Sequence, residues 1–262
     1  MTEAIVVERT DPACVVVTLN RPEKRNALSL KLWRELASIF TSLEDDAQAR
    51  VVILTGAGGY FCAGADISEF AEVRTGKAAG EIYEAAVEQC NISIQSLSKP
   101  TIAAISGFCI GGGFALAQVC DFRIADTNAV FAVPPARLGI VYSRHECETL
   151  LALVGLAKAK EILFTAEQFG IEQATAYGVV DQVADGDSNV LASAREFAAR
   201  MTGNAPLSIK GMKLILNALA AGSAKDQQAE INAHIDAAIE SDDYKEGVQA
   251  FAEKRRPKFR GR

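Results

Sequence analysis

The sequence predicts an α/β fold on three observations. Short β-rich runs recur through the first half of the chain, glycine-rich loops follow two of them, and each loop opens into a stretch with helical spacing. From about Glu146 onward the periodicity is mainly helical. These observations place a soft boundary near residue 200, with an α/β core over 1–200 and a helical region over 201–262. With 262 residues, 49% of them apolar, the chain can bury a core without metal or disulfide.

Ile5-Val6-Val7 and Val15 to Leu19 read as strands, and Asn20-Arg21-Pro22-Glu23-Lys24 as the turn that ends the second. Ser29 stands where a helix N-cap belongs, and Leu32, Leu36, Ile39, Phe40 and Leu43 recur on one face of the helix it opens. Val51 to Thr55 is the next strand. A glycine-rich loop over 56–64 leads into a mostly helical stretch from Ile67 to Leu97, stopped by Lys99-Pro100. Thr101 to Ile105 repeats the strand, Ser106 to Gly113 forms a second glycine-rich turn, Phe114 to Val119 reads as helix and Phe122 to Ala125 as strand. One strand-like run, Val179 to Val183, interrupts the helical remainder.

Composition excludes several classes. The cysteines Cys14, Cys62, Cys90, Cys109, Cys120 and Cys147 form no CxxC pair, and His145 and His234 are the only imidazoles, so no familiar metal spacing can be assembled; buried free thiols are expected. A formal net charge of -6 argues against nucleic-acid binding, although Lys254 to Arg262 carries six basic side chains. No basic patch precedes a long apolar stretch at the N-terminus, and no apolar run is long enough to span a bilayer, so a cytoplasmic location without membrane association is expected.

The glycine loops first raise nucleotide binding. A dinucleotide fingerprint starting at Gly56 would need glycine where Phe61 stands. A P-loop ending at Gly76-Lys77 would need glycine at Ala71 and Ser or Thr at Ala78. The alternative is that each loop exposes a backbone N–H at the start of a helix, where unpaired amides and the helix dipole favour developing negative charge. Two such amides facing one another make an oxyanion hole.

Asn20-Arg21-Pro22-Glu23-Lys24-Arg25-Asn26-Ala27-Leu28, Phe61-Cys62-Ala63-Gly64-Ala65-Asp66-Ile67, Gly107 with Gly111-Gly112-Gly113, and Cys120-Asp121 stand in an order and spacing that resemble the crotonase (enoyl-CoA hydratase/isomerase) superfamily. The resemblance continues through Glu161 to Thr165, Ala176 to Val180 and Glu253 to Phe259. It implies a spiral of ββα units with a C-terminal helical trimerisation region, assembled as a homotrimer or a dimer of trimers. It further implies an acyl-CoA thioester as substrate, with coenzyme A part of that substrate and no separate cofactor. Ala65 and Gly112 match the two oxyanion-hole positions. Ala63, Gly64, Asp66 and Ile67 match the loop that receives the CoA adenine, and Arg25, Lys258 and Phe259 match positions near CoA, sometimes from a neighbouring subunit. The basic tail then reads either as a contact for CoA phosphates or as a solvated helix end.

The same resemblance places the two glutamates of enoyl-CoA hydratases at Ala115 and Pro135, where neither side chain can move a proton. Gly139 to Glu148 is the densest reactive stretch nearby. Within it Glu146 is a candidate acid/base carboxylate, His145 a candidate imidazole acid/base and Tyr142 a candidate hydrogen-bond donor. Against these stands a capping box joining Ser143 and Glu146, and a Cys147–His145 nucleophile pair is a further alternative. An oxyanion hole without a carboxylate base suits decarboxylation of a malonyl-type thioester, and Gly139-Ile140-Val141-Tyr142 is similar to the tyrosine loop of methylmalonyl-CoA decarboxylases. Hydration or isomerisation through Glu146, and acyl-CoA binding without catalysis, are the other readings.

Overall fold

The protein is described from a computed structural model covering residues 3–184 and 189–262; Met1, Thr2 and 185–188 lie outside the described residues. The elements run β1 (Ile5–Asp11), β2 (Cys14–Leu19), α1 (Leu30–Glu44), β3 (Val51–Gly56), α2 (Phe70–Val73), α3 (Gly76–Gln95), β4 (Thr101–Ile105), β5 (Phe108–Ile110), α4 (Gly112–Val119), β6 (Phe122–Ala125), β7 (Val130–Ala132), α5 (Pro135–Leu138), α6 (Arg144–Thr165), β8 (Phe169–Gly170), α7 (Ile171–Ala176), β9 (Gln182–Val183), α8 (Val190–Thr202), α9 (Pro206–Ala220), α10 (Gln228–Glu240) and α11 (Asp242–Ala252).

A six-stranded sheet has the order β1-β2-β3-β4-β6-β9, parallel except for β1 against β2. Both of its faces are covered, which is why its strands read as unbroken apolar runs rather than alternating ones. Val15, Val17, Val52, Leu54, Ala103 and Ile105 face α1, α3 and α4, while Val16, Val51, Ile53, Ile102, Ala104 and Ile124 face Val190, Ala194 and Ala198 of α8. Ser29 caps α1 by accepting from the Leu32 amide at 3.3 Å, and the apolar stripe of that helix includes fully buried Trp33.

A second, smaller sheet, β5-β7-β8, holds the key to the site. Where the chain crosses from a main-sheet strand to this second layer, it stays for a few residues and then turns into a helix. This happens three times: β3 with the bridge residue Cys62, β4 with β5, and β6 with β7. Cys62 pairs in parallel with Cys109, and Cys109 pairs in parallel with Phe131. The three rungs are thereby stacked in register.

Four expectations change here. Ser106 to Gly113 is not a turn throughout, because Phe108–Ile110 pairs as β5 with the neighbouring rungs. The short elements β7, α5 and β8 have no counterpart in the sequence reading. The helical stretch from Ile67 is divided into a 3-10 turn at Ile67–Glu69, α2 and α3, with the break before α3 at Gly76 (φ +78°) close by. The strand at Val179 to Val183 shrinks to β9, since the amides of Val179 and Val180 turn back to the Ala174 carbonyl at the end of α7.

The chain beyond 202 is helical, and α9 is tied to the sheet side by polar contacts. Lys213 Nζ donates to Asp121 at 2.7 Å and to the Lys99 carbonyl at 3.0 Å. The terminal residues fold back onto α11: the amides of Arg260 and Gly261 donate to the Asp243 carboxylate at 2.6 and 2.7 Å.

Candidate active site

The stacked rungs explain why two loops distant in sequence meet. Three residues beyond the paired Cys62, Cys109 and Phe131 stand Ala65, Gly112 and Pro134. A methyl group built on Gly112 would lie 3.5 Å from the Ala65 nitrogen, and one on Gly64 would lie 3.2 Å from the Gly112 nitrogen. The surrounding amides are used: Leu28 N donates to Gly64 O at 2.8 Å, Asp66 N to Leu28 O at 2.8 Å, and Gly111 N to Ala132 O at 2.8 Å. Among the described residues, the N–H groups of Ala65 and Gly112 have no backbone acceptor. Pro134, at the third corner, has no N–H to offer.

Close approach is what demands glycine here. Gly64 has φ +100°, and a Cβ there would stand 2.8 Å from the Ile110 carbonyl oxygen; a Cβ on Gly112 would stand 2.8 Å from the Trp33 ring. Trp33 is itself fixed, donating its indole N–H to the Tyr83 hydroxyl at 3.0 Å. Burial pushes the Tyr83 phenol up to about 12, so it stays neutral and keeps its own proton to donate.

A cavity of about 340 Å³ opens beside the two amides. Its wall is largely apolar, built from Trp33, Phe70, Val87, Ile110, Ile140 and Val141, and it also includes Pro134 and Pro135. Ala63, Gly64, Ala65, Ile67, Gly112, Tyr142 and Glu146, all singled out from sequence, line it. Ala115 is fully buried in α4 and Pro135 stands in the wall, so neither position brings a proton-handling group.

Glu146 has two roles in the geometry. Ser143 accepts from the Glu146 amide at 3.2 Å while the Glu146 carboxylate accepts from the Ser143 amide at 2.9 Å, which is the capping box at the start of α6. The same side chain, 6% exposed, lines the cavity. Burial raises its pKa, opposed by the Ser143 contacts and reinforced by the charges of Glu84 and Glu88. Burial likewise raises Tyr142, with Glu146 as the next cause; its hydroxyl has no hydrogen-bond partner among the described residues.

Other sequence candidates fall outside the cavity wall. His145 is half-buried with Nε2 enclosed and unpartnered, and it does not line the cavity. Burial raises the Cys147 thiol, the reverse of an activated nucleophile. Asp66 caps the 3-10 turn, its carboxyl lowered by the Ser68 hydroxyl and then by Arg21 and Lys24. Arg25 contributes its carbonyl to the Ala63 amide at 2.9 Å, while its guanidinium lies 5.1 Å from the Phe108 ring centroid. Lys258 and Phe259 pack with the terminal segment, the Lys258 amide on Glu246 at 2.8 Å and the Phe259 carbonyl on Arg50 at 2.6 Å. Among the described residues no three His, Cys, Asp or Glu groups could hold a metal ion, and no helix is long and apolar enough to cross a membrane.

The lining residues not singled out from sequence include Trp33, Phe70, Arg74, Tyr83 and Glu84. Arg74 forms an ion pair with Glu84, and its guanidinium lies 4.9 Å from the Phe70 ring centroid and 5.0 Å from that of Tyr83. Helical spacing of Tyr83, Glu84 and Val87 on α3 was the available signal, but nothing in the sequence says which helix face meets the loops.

The comparisons with known proteins agree with this architecture. Residues 9–262 match the family described as enoyl-CoA hydratase/isomerase. The chain is 36% identical to carnitinyl-CoA dehydratase of Salmonella enteritidis over all of both chains, and 35% identical to a short-chain-enoyl-CoA hydratase of Clostridium acetobutylicum, covering 96% of this chain and 95% of that one. Among solved structures, an enoyl-CoA hydratase/isomerase family protein of Hyphomonas neptunium superposes with TM-score 0.94 at 33% identity, covering 100% of this chain and 99% of the other. Enoyl-CoA hydratase of Bacillus anthracis superposes with TM-score 0.90 at 32% identity, covering 99% and 100%. A chain matched along nearly its whole length, with these stacked rungs, belongs to the enoyl-CoA hydratase/isomerase family, the crotonase superfamily of acyl-CoA enzymes.

Proposed function

We propose that the protein processes an acyl-CoA through a thioester enolate, with the Ala65 and Gly112 amides as its oxyanion hole and Glu146 as a proton carrier, in the hydration or isomerisation of an enoyl thioester. The observation that carries this reading is the pair of unused amides at the edge of a cavity whose wall contains a buried carboxyl group. Negative charge arriving on the thioester oxygen meets two fixed donors that need no reorganisation, each contributing about 3–4 kcal/mol. Burial favours the protonated form of Glu146, as an acid that delivers a proton to the α-carbon requires. The test is turnover of crotonyl-CoA and 3-hydroxybutyryl-CoA. Glu146→Gln is expected to lower kcat by about 10²–10⁴, and unchanged turnover removes Glu146 from the mechanism.

Decarboxylation of a malonyl-type thioester is the second reading, favoured by the unpartnered Tyr142 hydroxyl and by the absence of side-chain chemistry at Ala115 and Pro135. Loss of CO₂ supplies the enolate electrons without a base, and Tyr142 then hydrogen-bonds the departing carboxylate. Release of CO₂ from methylmalonyl-CoA with no hydration of crotonyl-CoA selects it. Tight thioester binding with neither turnover nor solvent deuterium uptake selects a binding protein instead.

Coenzyme A enters as part of the substrate, with no further cofactor, along Ala63, Gly64, Asp66 and Ile67. Arg25, Lys258 and Phe259 meet it from this chain or a neighbouring copy. Assembly as a homotrimer or dimer of trimers is supported by exposed apolar stripes on the C-terminal helices: Met212, Leu216 and Leu219 on α9, and Tyr244, Val248 and Phe251 on α11. The proposed setting is cytoplasmic fatty acid metabolism.

A further inference from the structure

We propose that Glu84, held by Arg74, is the second catalytic carboxylate of the cavity: it takes the proton from water while Glu146 gives one to the α-carbon. This rests on the reading of Glu146 above and names the partner that a hydration needs. The positions where the family resemblance expects glutamates carry Ala115 and Pro135, yet two carboxylates reach the same wall from other elements, Glu84 from α3 and Glu146 from α6.

Their surroundings differ in the way that separates a base from an acid. The Glu84 carboxylate is paired with a guanidinium that is itself wedged against the Phe70 and Tyr83 rings, so the pair is fixed in place. Its side chain is 42% exposed, which leaves water access to it. Glu146 is 6% exposed and has no cation partner among the described residues; its carboxylate accepts from the Ser143 amide. The wetted carboxylate is placed to meet the attacking water, and the buried one without a cation suits proton donation. The remaining charged groups do not compete. Glu88 faces Glu146 from α3 but does not line the cavity, and Arg137 lines it from α5 without an acidic partner among the described residues.

The step balances as follows. Water oxygen bonds to the β-carbon as Glu84 removes one water proton; the Cα–Cβ π electrons shift to make the enolate, whose charge rests on the thioester oxygen between the Ala65 and Gly112 amides. The enolate then collapses, taking a proton from Glu146 at the α-carbon. One water has been added, and Glu84 returns its proton to Glu146 through solvent.

The test uses 3-hydroxybutyryl-CoA in heavy water with the full-length protein, reading α-hydrogen exchange and dehydration separately. In the reverse direction Glu146 removes the α-proton and Glu84 protonates the departing hydroxyl. Glu84→Gln, which keeps an oxygen acceptor for Arg74, is expected to lower dehydration by at least about 100-fold while α-exchange continues. Glu146→Gln stops both. Glu81→Gln, a charge removed from the same helix outside the cavity wall, leaves both in place. Dehydration undiminished in Glu84→Gln, or exchange and dehydration lost together in that variant with thioester binding and thermal unfolding unchanged, overturns the role of Glu84 and leaves Glu146 standing. Exchange that persists in Glu146→Gln overturns the reading of Glu146, and the Glu84 assignment with it.

Discussion

The two walls of the cavity are built on different principles. One is backbone: Ala65 and Gly112 are brought together because Cys62 and Cys109 pair across adjacent rungs, and their side chains need only be small. The other is side chain: Tyr142 and Glu146 from the loop and start of α6, with Arg74 from the bend after α2 and Glu84 from α3, present groups whose chemistry depends on each residue. The difference teaches that polarising the thioester and moving protons are separately encoded. The first can persist while the second is rewritten.

This contrast can be broken from either side. On the backbone wall the largest expected effect is at Gly112. Gly112→Pro removes the amide donor and Gly112→Ala retains it, while both place a Cβ against Trp33, so their ratio isolates the N–H. The proline variant should fall about 10²–10³ below the alanine variant in kcat. Equal activities would mean that the Gly112 amide stabilises no oxyanion.

Next comes Gly64→Ala, where a positive φ and a 2.8 Å approach to the Ile110 carbonyl oppose any side chain. A loss of about 1–3 kcal/mol in denaturant unfolding is expected, and full stability would disprove the strain. A smaller effect should appear in the pH dependence of stability. Burial raises Glu146 in the folded chain, so the folded state holds that proton more firmly than the unfolded chain does. Its contribution is fully present below the ordinary value of 4.5 and is lost as pH rises through the folded value. Wild type should therefore lose stability relative to Glu146→Gln over that interval, with Glu84 and Glu88 of α3 adding to the shift and the Ser143 contacts opposing it. Parallel stability curves would contradict it. The smallest effect belongs to Ala65→Gly, which keeps the N–H; kcat should stay within about a factor of three, and a larger drop would assign the Ala65 methyl a role of its own.

Legibility in the sequence followed the same division. The glycine corners, the Ser29 and Ser143 caps and the main-sheet strands were readable because each is a local pattern: a turn residue, a capping residue or an apolar run. The rungs β5, β7 and β8 were not, since two or three residues are too few to show alternation and pairing between rungs makes them strands. Arg74 and Glu84 escaped for a related reason. They lie ten residues apart, Arg74 in the bend just after α2 and Glu84 on α3, and only the packing of these elements over the loops turns an ordinary surface-type ion pair into part of a cavity wall. His145 illustrates the opposite case: adjacency to Glu146 in sequence points it along a different side of α6, away from the cavity lining.

The capping box gives the cavity a mechanical connection that its chemistry alone does not suggest. The oxygen that receives the Ser143 amide belongs to the carboxyl group proposed to exchange a proton with substrate, so a change of charge in the acyl chamber is felt at the first turn of α6. Hydrogen exchange at the Ser143 and Glu146 amides should thus register occupancy of the chamber. Selection, for its part, meets the loss of Glu146 twice, once as a slower reaction and once as a loosened helix.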